Sequence, residues 1–299
     1  MLREHSIYFK FSTEHCLLGD ATFLGILDQL ETWASAPFET VQDLLNHGRP
    51  RPWGGEQAVA HLHSRVGAGV NQQARLLWKG AEGRAVRSVE LNAGSHPYAG
   101  RFQTLLDIRL DRGWFARQGE LGPRMAERRF VEIARLIHPF QGHAHDTDDN
   151  AVQNTDNAGL LERGFGVKVE GPIDLAANPG RELSRGPHRY AVNWLTLCGP
   201  ELVEKLGRDL LQAAPAPVVR ALEIDPKSRK LPAESVAERL GEAVEKEGEW
   251  WMLRLSESPL DFPDNPAARE VQRAVREHLG LRDLARQERW ELGYWQKKE

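Results

Sequence analysis

The segment HPFQGHAHDTDDN, residues 138–150, concentrates three histidines and three aspartates within thirteen positions. Imidazole nitrogens and carboxylate oxygens are common zinc ligands, and a site needs several of them directed at one point. His143 and His145 form an HxH pair whose side chains would share one face of a strand. Asp146 or Asp148 could add a carboxylate, and His138 could hydrogen-bond to one of the ligand side chains. One hypothesis is therefore a metal-dependent hydrolase in which the metal activates a bound water.

The same segment also has the composition of a solvated loop between a helix and a strand, because Asp, Asn, Thr and Gly are the usual turn formers. Hydrolases with an HxHxDH pattern carry a further histidine that HAHDTDD lacks. A second HxH, in HLHS at residues 61–64, would complete a site of four imidazoles only if the fold brought the two pairs together. The loop is the favoured interpretation, with the metal site as the alternative.

Other catalytic motifs are missing from the sequence. It has no GxSxG elbow, no GxGxxG after a strand and no GxxxxGK[ST] loop. The two cysteines, Cys16 and Cys198, lie far apart and form no CxxC pair, which excludes a thiolate zinc cluster and fits a reducing compartment. Cys198 ends an apolar strand and is expected to pack in the core. We expect no cofactor.

The bulk composition is that of an ordinary globular chain. It has 299 residues, 40% of them hydrophobic, and a net charge of −4, which does not indicate a nucleic-acid binder. No window approaches eighteen apolar residues, and the first residues lack the apolar stretch of a signal peptide. These patterns predict a cytoplasmic protein without membrane contact.

The periodicity of the chain predicts an α+β fold, a mostly antiparallel sheet with helices on one face, and the strands and helices in both halves allow two similar lobes. SIYFKFST, RSVELN with QTLLDIRLDR, GFGVKVEG, RYAVNWLTLCG, VVRALEI and EWWMLRLSE are predicted strands. TFLGILDQLETWA, PRMAERRFVEIARLIH, PELVEKLGRDLL, NPAAREVQRAVREHLG and the tail are predicted helices, and PAESVAERLGEAVEKE is either a helix or a flexible insert. Residues 35–83 are expected to be mostly irregular, and the domain prediction is a part at 1–120 followed by a part at 121–299.

Two stretches carry a resemblance to a known group of proteins. RYAVNWLTLCGPELVEKLG combines a strand with a helix that starts at a proline, and WWMLRLSESPLDFPDNPAAREVQRAVREHL adds a strand, a turn and a capped helix. Together with GHAHDTDDNAV, they resemble immunity proteins of bacterial polymorphic-toxin and type VI secretion systems, in particular families encoded beside nuclease-like toxins. The resemblance covers roughly residues 120–280 and rests on short motifs. The long charged insert at residues 225–248 departs from it.

The resemblance implies a non-catalytic protein that binds and blocks its cognate toxin in the cytosol. Asn193, Trp194, Leu195 and Pro259 would then maintain the fold. Because carboxylates can match the basic cleft of a nuclease, we predict acidic toxin-binding residues, which are Asp146, Asp148, Asp149, Asp156, Asp261 and Asp264. Exposed tryptophans can also anchor a partner, and the candidates in loops or the tail are Trp53, Trp114, Trp290 and Trp295.

Overall fold

The structure is a computed structural model that describes residues 5–15, 17, 21–45, 48–54, 74–95, 102–182, 188–224, 248–262 and 264–291. Within these residues, ten strands form one antiparallel sheet in the order β3-β2-β4-β5-β6-β1-β7-β8-β10-β9. The strands are β1 (Ser6–Thr13), β2 (Thr40–Asp43), β3 (Arg51–Pro52), β4 (Ala74–Lys79), β5 (Val86–Ser95), β6 (Phe102–Asp111), β7 (Gln141–Asp146), β8 (Leu195–Cys198), β9 (Val218–Leu222) and β10 (Trp250–Arg254). The predicted α+β antiparallel fold is confirmed.

Helices follow several of these strands. They are α1 (Ala21–Ala34), α2 (Arg112–Arg117), α3 (Leu121–Ile137), α4 (Thr147–Asn154), α5 (Ala158–Leu160), α6 (Pro200–Leu206), α7 (Arg208–Gln212), α8 (Pro266–His278) and α9 (Leu281–Glu291). A π-helical turn at Leu161–Phe165 continues α5, and short 3-10 turns lie at Leu175–Ala177 and Pro259–Asp261. No helix in the described part of the chain is long and apolar enough to cross a membrane.

The alternation in β1 separates two faces of the sheet. Ile7, Phe9 and Phe11 point to one face, which we call face A, and all three are fully buried. Tyr8 and Lys10 point to the opposite face, face B. Because β1 pairs with β6 on one side and β7 on the other, this alternation continues across the middle of the sheet. One hydrogen-bonded sheet therefore joins the two parts of the chain on either side of residue 120.

Face A is apolar along the sheet and is covered by α1 and α3. Phe130 of α3 stacks on Phe11 at 4.7 Å between ring centroids and meets Phe9 edge-on at 5.4 Å. On the side of β4, Phe23 of α1 meets Trp78 edge-on at 5.3 Å. The amphipathic stripes of the two helices, visible in the sequence, bury their apolar sides here.

Face B is apolar at the end of the sheet formed by β8 and β10 and polar in the middle. Over β8 and β10 it carries a second apolar core, in which Cys198 and Leu253 pack with Leu202 of α6 and Val275 of α8. The helices thus cover face A broadly and face B at the β9 end. The middle of face B, around β1 and β7, is polar and lies beneath α4 and the chain that follows it.

Two predictions about individual segments are wrong. Residues 138–150 are not a loop, because they contain all of β7 and the start of α4. GFGVKVEG is not a strand, since it runs from the end of the π-helical turn into irregular chain with a left-handed Gly166 (φ 70°). In the region at 35–83, which is expected to be mostly irregular, β2, β3 and β4 are the regular elements among the described residues, and β2 pairs with β3 and β4 while β4 pairs with β5.

PELVEKLGRDLL forms two helices, α6 and α7, that meet at Gly207, whose positive φ of 86° breaks the helical path. The charged segment PAESVAERLGEAVEKE and HLHS at residues 61–64 lie outside the described residues. Cys16 and Trp295 do so as well.

Candidate functional site

The histidine- and aspartate-rich segment lies at the centre of the sheet. β7 pairs with both β1 and β8, and all six of its residues are buried. His143 and His145 share face B, as predicted for an HxH pair on a strand, opposite Lys10 and Tyr8 of β1. The strand then runs directly into α4, with Asp146 as its N-cap residue. Charged and polar side chains therefore enter the interior of the protein here.

The imidazole of His145 contacts the carboxylate of Asp149, one turn into α4. Its Nε2 lies 2.5 Å from Oδ2 of Asp149, and neither side chain has any exposed surface. The backbone N–H of Trp194 donates to Nδ1 of His145 over 3.0 Å. Because Nδ1 accepts this bond, the ring proton resides on Nε2 and is donated to Asp149. Both ring nitrogens are thus used inside the fold.

Asp149 accepts from two further donors, one on the same helix and one distant in sequence. Gln153 Nε2 donates to Oδ2 over 2.6 Å, and the guanidinium of Arg269 on α8 pairs with Oδ1. Burial acts to raise the pKa of Asp149, but the hydrogen bond from His145 and the charge of Arg269 outweigh it and lower that pKa to about 2. A charged, fully bonded carboxylate therefore links β7, α4 and α8.

Asp146 points toward the face A side and has different partners. Its Oδ1 accepts the backbone N–H of Asp149 over 2.9 Å, which caps α4. Arg112 approaches its Oδ2 to 3.2 Å. Burial raises the pKa of Asp146, while the cap and Arg112 act in the opposite direction. Asp148 is 8% exposed and lies 3.7 Å from the imidazole of His5.

His143 is buried next to a second charged group on face B. Lys10 Nζ donates to Glu182 over 3.1 Å, and Arg189 pairs with the same carboxylate. Burial lowers the pKa of His143 to about 3, so the ring is neutral at ordinary pH. Burial also acts to raise the pKa of Glu182, but Lys10 and Arg189 reverse this and lower it to about 2.

The proposed metal ligands do not converge. His143 and His145 face one side of the sheet, whereas Asp146 faces the other and is held by Arg112. His145 has no nitrogen left for a metal, because Trp194 and Asp149 occupy both. Among the described residues, no group of three His, Cys, Asp or Glu side chains is arranged as metal ligands. The set predicted from the HxH motif is therefore not assembled.

The six acidic residues predicted to bind a toxin separate into two groups. Asp146, Asp148 and Asp149 are buried, so the premise that they form a solvated acidic loop is wrong. Their carboxylates hold helices and arginines, as described above. Asp261 is half-buried and caps the turn at Ser258, while Asp156 and Asp264 are exposed. Only the last two therefore have the accessibility that the prediction requires.

Two of the tryptophans predicted to lie in loops, Trp53 and Trp114, pack against the core. Trp53 meets Trp78 edge-on at 5.7 Å, and Trp114 meets Trp33 at 6.1 Å, and both are partly buried. Trp290 belongs to α9. Trp194, which the resemblance treats as a fold-maintaining residue, is fully buried and donates from Nε1 to the Ser256 carbonyl over 3.1 Å.

Sequence reasoning missed Arg112, Arg269 and Glu182, which form ion pairs with Asp146, Asp149 and Lys10 respectively. The only local signal was the polar half of the β1 alternation, Tyr8 and Lys10, which places polar side chains next to β7. The missing partners are 34, 120 and 172 positions from the residues that they contact. Such pairings depend on the complete fold.

Comparison with known proteins finds similarity in structure but none in sequence. No protein-family model matches the chain, and no curated protein has a significant sequence match. Among solved structures, the chain is similar to the Pseudomonas aeruginosa T6SS protein PA0821, with a TM-score of 0.52 and 12% sequence identity. The match covers 91% of this chain and 73% of that one. At this identity the similarity shows a shared fold, and the relative that shares it is a type VI secretion system protein.

Proposed function

We propose that this chain is a non-catalytic immunity protein that binds and neutralises a cognate secreted toxin in a type VI secretion context. The observation that carries the proposal is the fold shared with a T6SS protein along 91% of the chain. It agrees with the sequence resemblance to type VI immunity proteins, which rests on residues 120–280. The two likenesses are independent, since one compares backbones at 12% identity and the other compares short motifs.

The arrangement of the polar residues is compatible with a binding role. In the middle of face B, Asp149 and Glu182 are each engaged by two donors from outside their own segments, His145 with Arg269 and Lys10 with Arg189. Their hydrogen bonds and ion pairs stabilise the sheet and its covering helices. Binding of a partner would then fall to the exposed residues on the outer surface of the protein. Inhibitors of this kind act by occupying the active-site cleft of the toxin and need no catalytic residues.

Two surface features are candidates for the contact. The first is the exposed pair of carboxylates, Asp156 and Asp264, which suits a basic cleft and would speed association. The second is an apolar pair on α3, Leu121 and Met125, spaced one turn apart and 63% and 36% exposed. A groove of about 520 Å³, partly lined by Pro123, borders α3. Exposed apolar side chains next to a groove are typical anchors of protein interfaces.

The test is co-expression with the toxin-like protein encoded beside the gene, followed by purification on a tag placed on either partner. We expect a stoichiometric complex and loss of the toxin's activity. Separate isolation of the two proteins, with the toxin still active, would refute the proposal.

Surface variants then locate the contact. Charge reversal in Asp156→Lys/Asp264→Lys should slow association and make it less sensitive to salt if the carboxylates face the toxin. Leu121→Glu should instead accelerate dissociation if the apolar pair is buried in the complex. Asp28→Lys, an exposed position on α1, is the matched control for charge reversal. If both surfaces tolerate their changes, the contact lies elsewhere on the protein.

A further inference from the structure

Three arginines come together where α8 ends and α9 begins. Arg276 lies in the last turn of α8 and is only 7% exposed, whereas Arg282 lies on α9 and is exposed. Arg181 belongs to the turn that follows the 3-10 turn at Leu175–Ala177, and its backbone N–H and the guanidinium of Arg276 contact the same carbonyl, that of Asn178. Burial lowers the pKa of Arg276, and the like charges of Arg282 and Arg181 lower it further. We call these residues the arginine cluster.

The turn that carries Arg181 is held rigidly by α4. Gln153 accepts the backbone N–H of Gly180 over 2.6 Å, and its own carbonyl accepts from Asn178 Nδ2 over 3.1 Å. The carbonyl of Asn178 receives both the backbone N–H of Arg181 and a guanidinium N–H of Arg276. The backbone of Arg181 and the guanidinium of Arg276 therefore hydrogen-bond to the same carbonyl oxygen, which holds the two residues close together.

Two guanidinium nitrogens of the cluster are left without an acceptor. Arg276 Nη2 and Arg181 Nη1 are buried, and neither has a hydrogen-bond partner in the described part of the chain. A buried N–H of a cation without a partner is costly and uncommon in folded proteins. No carboxylate within the described ranges forms an ion pair with any of the three arginines.

The other buried or half-buried arginines show what is unusual here. Arg269 is paired with Asp149, Arg112 with Asp146, and Arg189 with Glu182. In each of these cases the fold supplies the negative charge. In the arginine cluster, the described part of the chain supplies the guanidinium of Arg276 with a backbone carbonyl, that of Asn178, and no carboxylate.

We infer that Arg181, Arg276 and Arg282 bind one oxyanion, a phosphate or carboxylate group, through the two unpartnered guanidinium nitrogens. A planar guanidinium donates two parallel N–H bonds to such oxygens, and the anion offsets the repulsion among the three charges. Arg282 is exposed and lies at the solvent side, where it would attract the anion and cover it. The anion is either a free ion or a group carried by a partner protein.

Titration calorimetry of the purified chain with inorganic phosphate, at ionic strength held constant with chloride, tests the site. We expect one phosphate per chain. Arg276→Gln should weaken its binding by about tenfold or more, as expected for a lost charge-assisted hydrogen bond. Arg282→Gln should weaken it severalfold without disturbing the fold, because that side chain is exposed. Arg273→Gln, an exposed arginine of α8 paired with Glu270, is the matched control.

A second measurement covers the case in which Arg276→Gln unfolds the protein. The melting temperature of the wild type should rise with phosphate, and that of Arg282→Gln should rise less, while both melt alike in chloride alone. If phosphate neither binds nor raises the melting temperature, or if Arg282→Gln and Arg273→Gln respond equally, the site is refuted as one for free phosphate.

The two sources of the anion are separated by a partner experiment, which rests on the proposed function. If the anion belongs to the toxin, Arg282→Gln should weaken the complex, and phosphate should compete with the toxin more strongly than chloride at equal ionic strength. If the anion is a free ion, phosphate should leave the complex unchanged. A complex that is absent altogether refutes the proposed function, whereas the phosphate titration of the lone chain tests the site by itself.

Discussion

Face A and face B of the same strands are filled by different kinds of side chain. On face A, Phe9, Phe11 and Phe130 form an aromatic cluster whose side chains have no ionisable group. On the middle of face B, the buried Asp149 and the half-buried Glu182 are ions surrounded by arginine, lysine and histidine. Apolar packing tolerates imperfect partners, whereas a buried ion requires a specific one. We therefore expect face B to be the part that single substitutions and pH affect most sharply.

The largest effect is expected for Asp149→Ala. It leaves Arg269 buried without its carboxylate and removes the acceptor of His145, so the free energy of unfolding should fall by about 3–5 kcal/mol. Urea unfolding followed by tryptophan fluorescence measures this loss. Asp156→Ala, which removes an exposed aspartate, should change the stability by less than about 0.5 kcal/mol. Equal losses in the two variants would mean that the buried ion does not stabilise the fold.

The next effect concerns pH and His143. The folded protein keeps this ring neutral down to a pKa of about 3, whereas the unfolded chain protonates it below about pH 6.5. The unfolded state therefore binds the extra proton, and stability falls as the pH drops from 6.5 toward 3. Between pH 6.5 and 5.0, the wild type should lose about 1.5 kcal/mol more than His143→Gln. Parallel pH profiles of the two proteins would contradict the burial of a neutral ring.

The pH range in which His143 affects stability begins above the range in which the carboxylates of Asp149 and Glu182 titrate. Asp149 and Glu182 both have their pKa lowered to about 2, so the stability that they contribute is present above the usual carboxylate range and is lost only as the pH falls from about 4 toward 2. Measurements above pH 5 therefore report on His143 without interference from these two groups.

A smaller effect is expected on face A for Gly142→Ala. A Cβ at this position of β7 would lie 2.9 Å from a ring carbon of Phe11 and 3.1 Å from one of Phe130, closer than normal contacts. The substitution should cost about 1–3 kcal/mol through overpacking. Gly25→Ala in α1 meets nothing within 4 Å, so it should be neutral or stabilising by up to about 1 kcal/mol. Thermal unfolding of both variants checks the contrast.

The smallest effect tests the apolar end of face B. Cys198 is 1% exposed, and burial raises the pKa of its thiol to about 12. In a Cys16→Ser background, a disulfide reagent at mild alkaline pH should react with Cys198 only as fast as the protein opens, and fully once it is unfolded. Reaction at the rate of a free thiol in the folded protein would mean that the core around α6 and α8 is loosely packed.

Local patterns predicted much of the framework. The β1 alternation, the apolar stripes of α1 and α3, and the Asn265 cap of α8 each depend on residues within a few positions, and the structure contains all of them. The prediction for the segment at 138–150 failed because its structure depends on strands that are distant in sequence. Its composition is that of a turn, but its position between β1 and β8 turns it into a central strand.

The sequence by itself determined the fold class, because the periods of helices and strands are local properties of the chain. Only the tertiary structure decided that the histidines and aspartates of β7 and α4 are buried and that His145, Asp146 and Asp149 bond to other parts of the protein. Arg269 reaches Asp149 across 120 positions, and Arg112 reaches Asp146 across 34. Which arginine neutralises which carboxylate depends on strand register and helix packing, and neither of these is encoded by spacing along the chain.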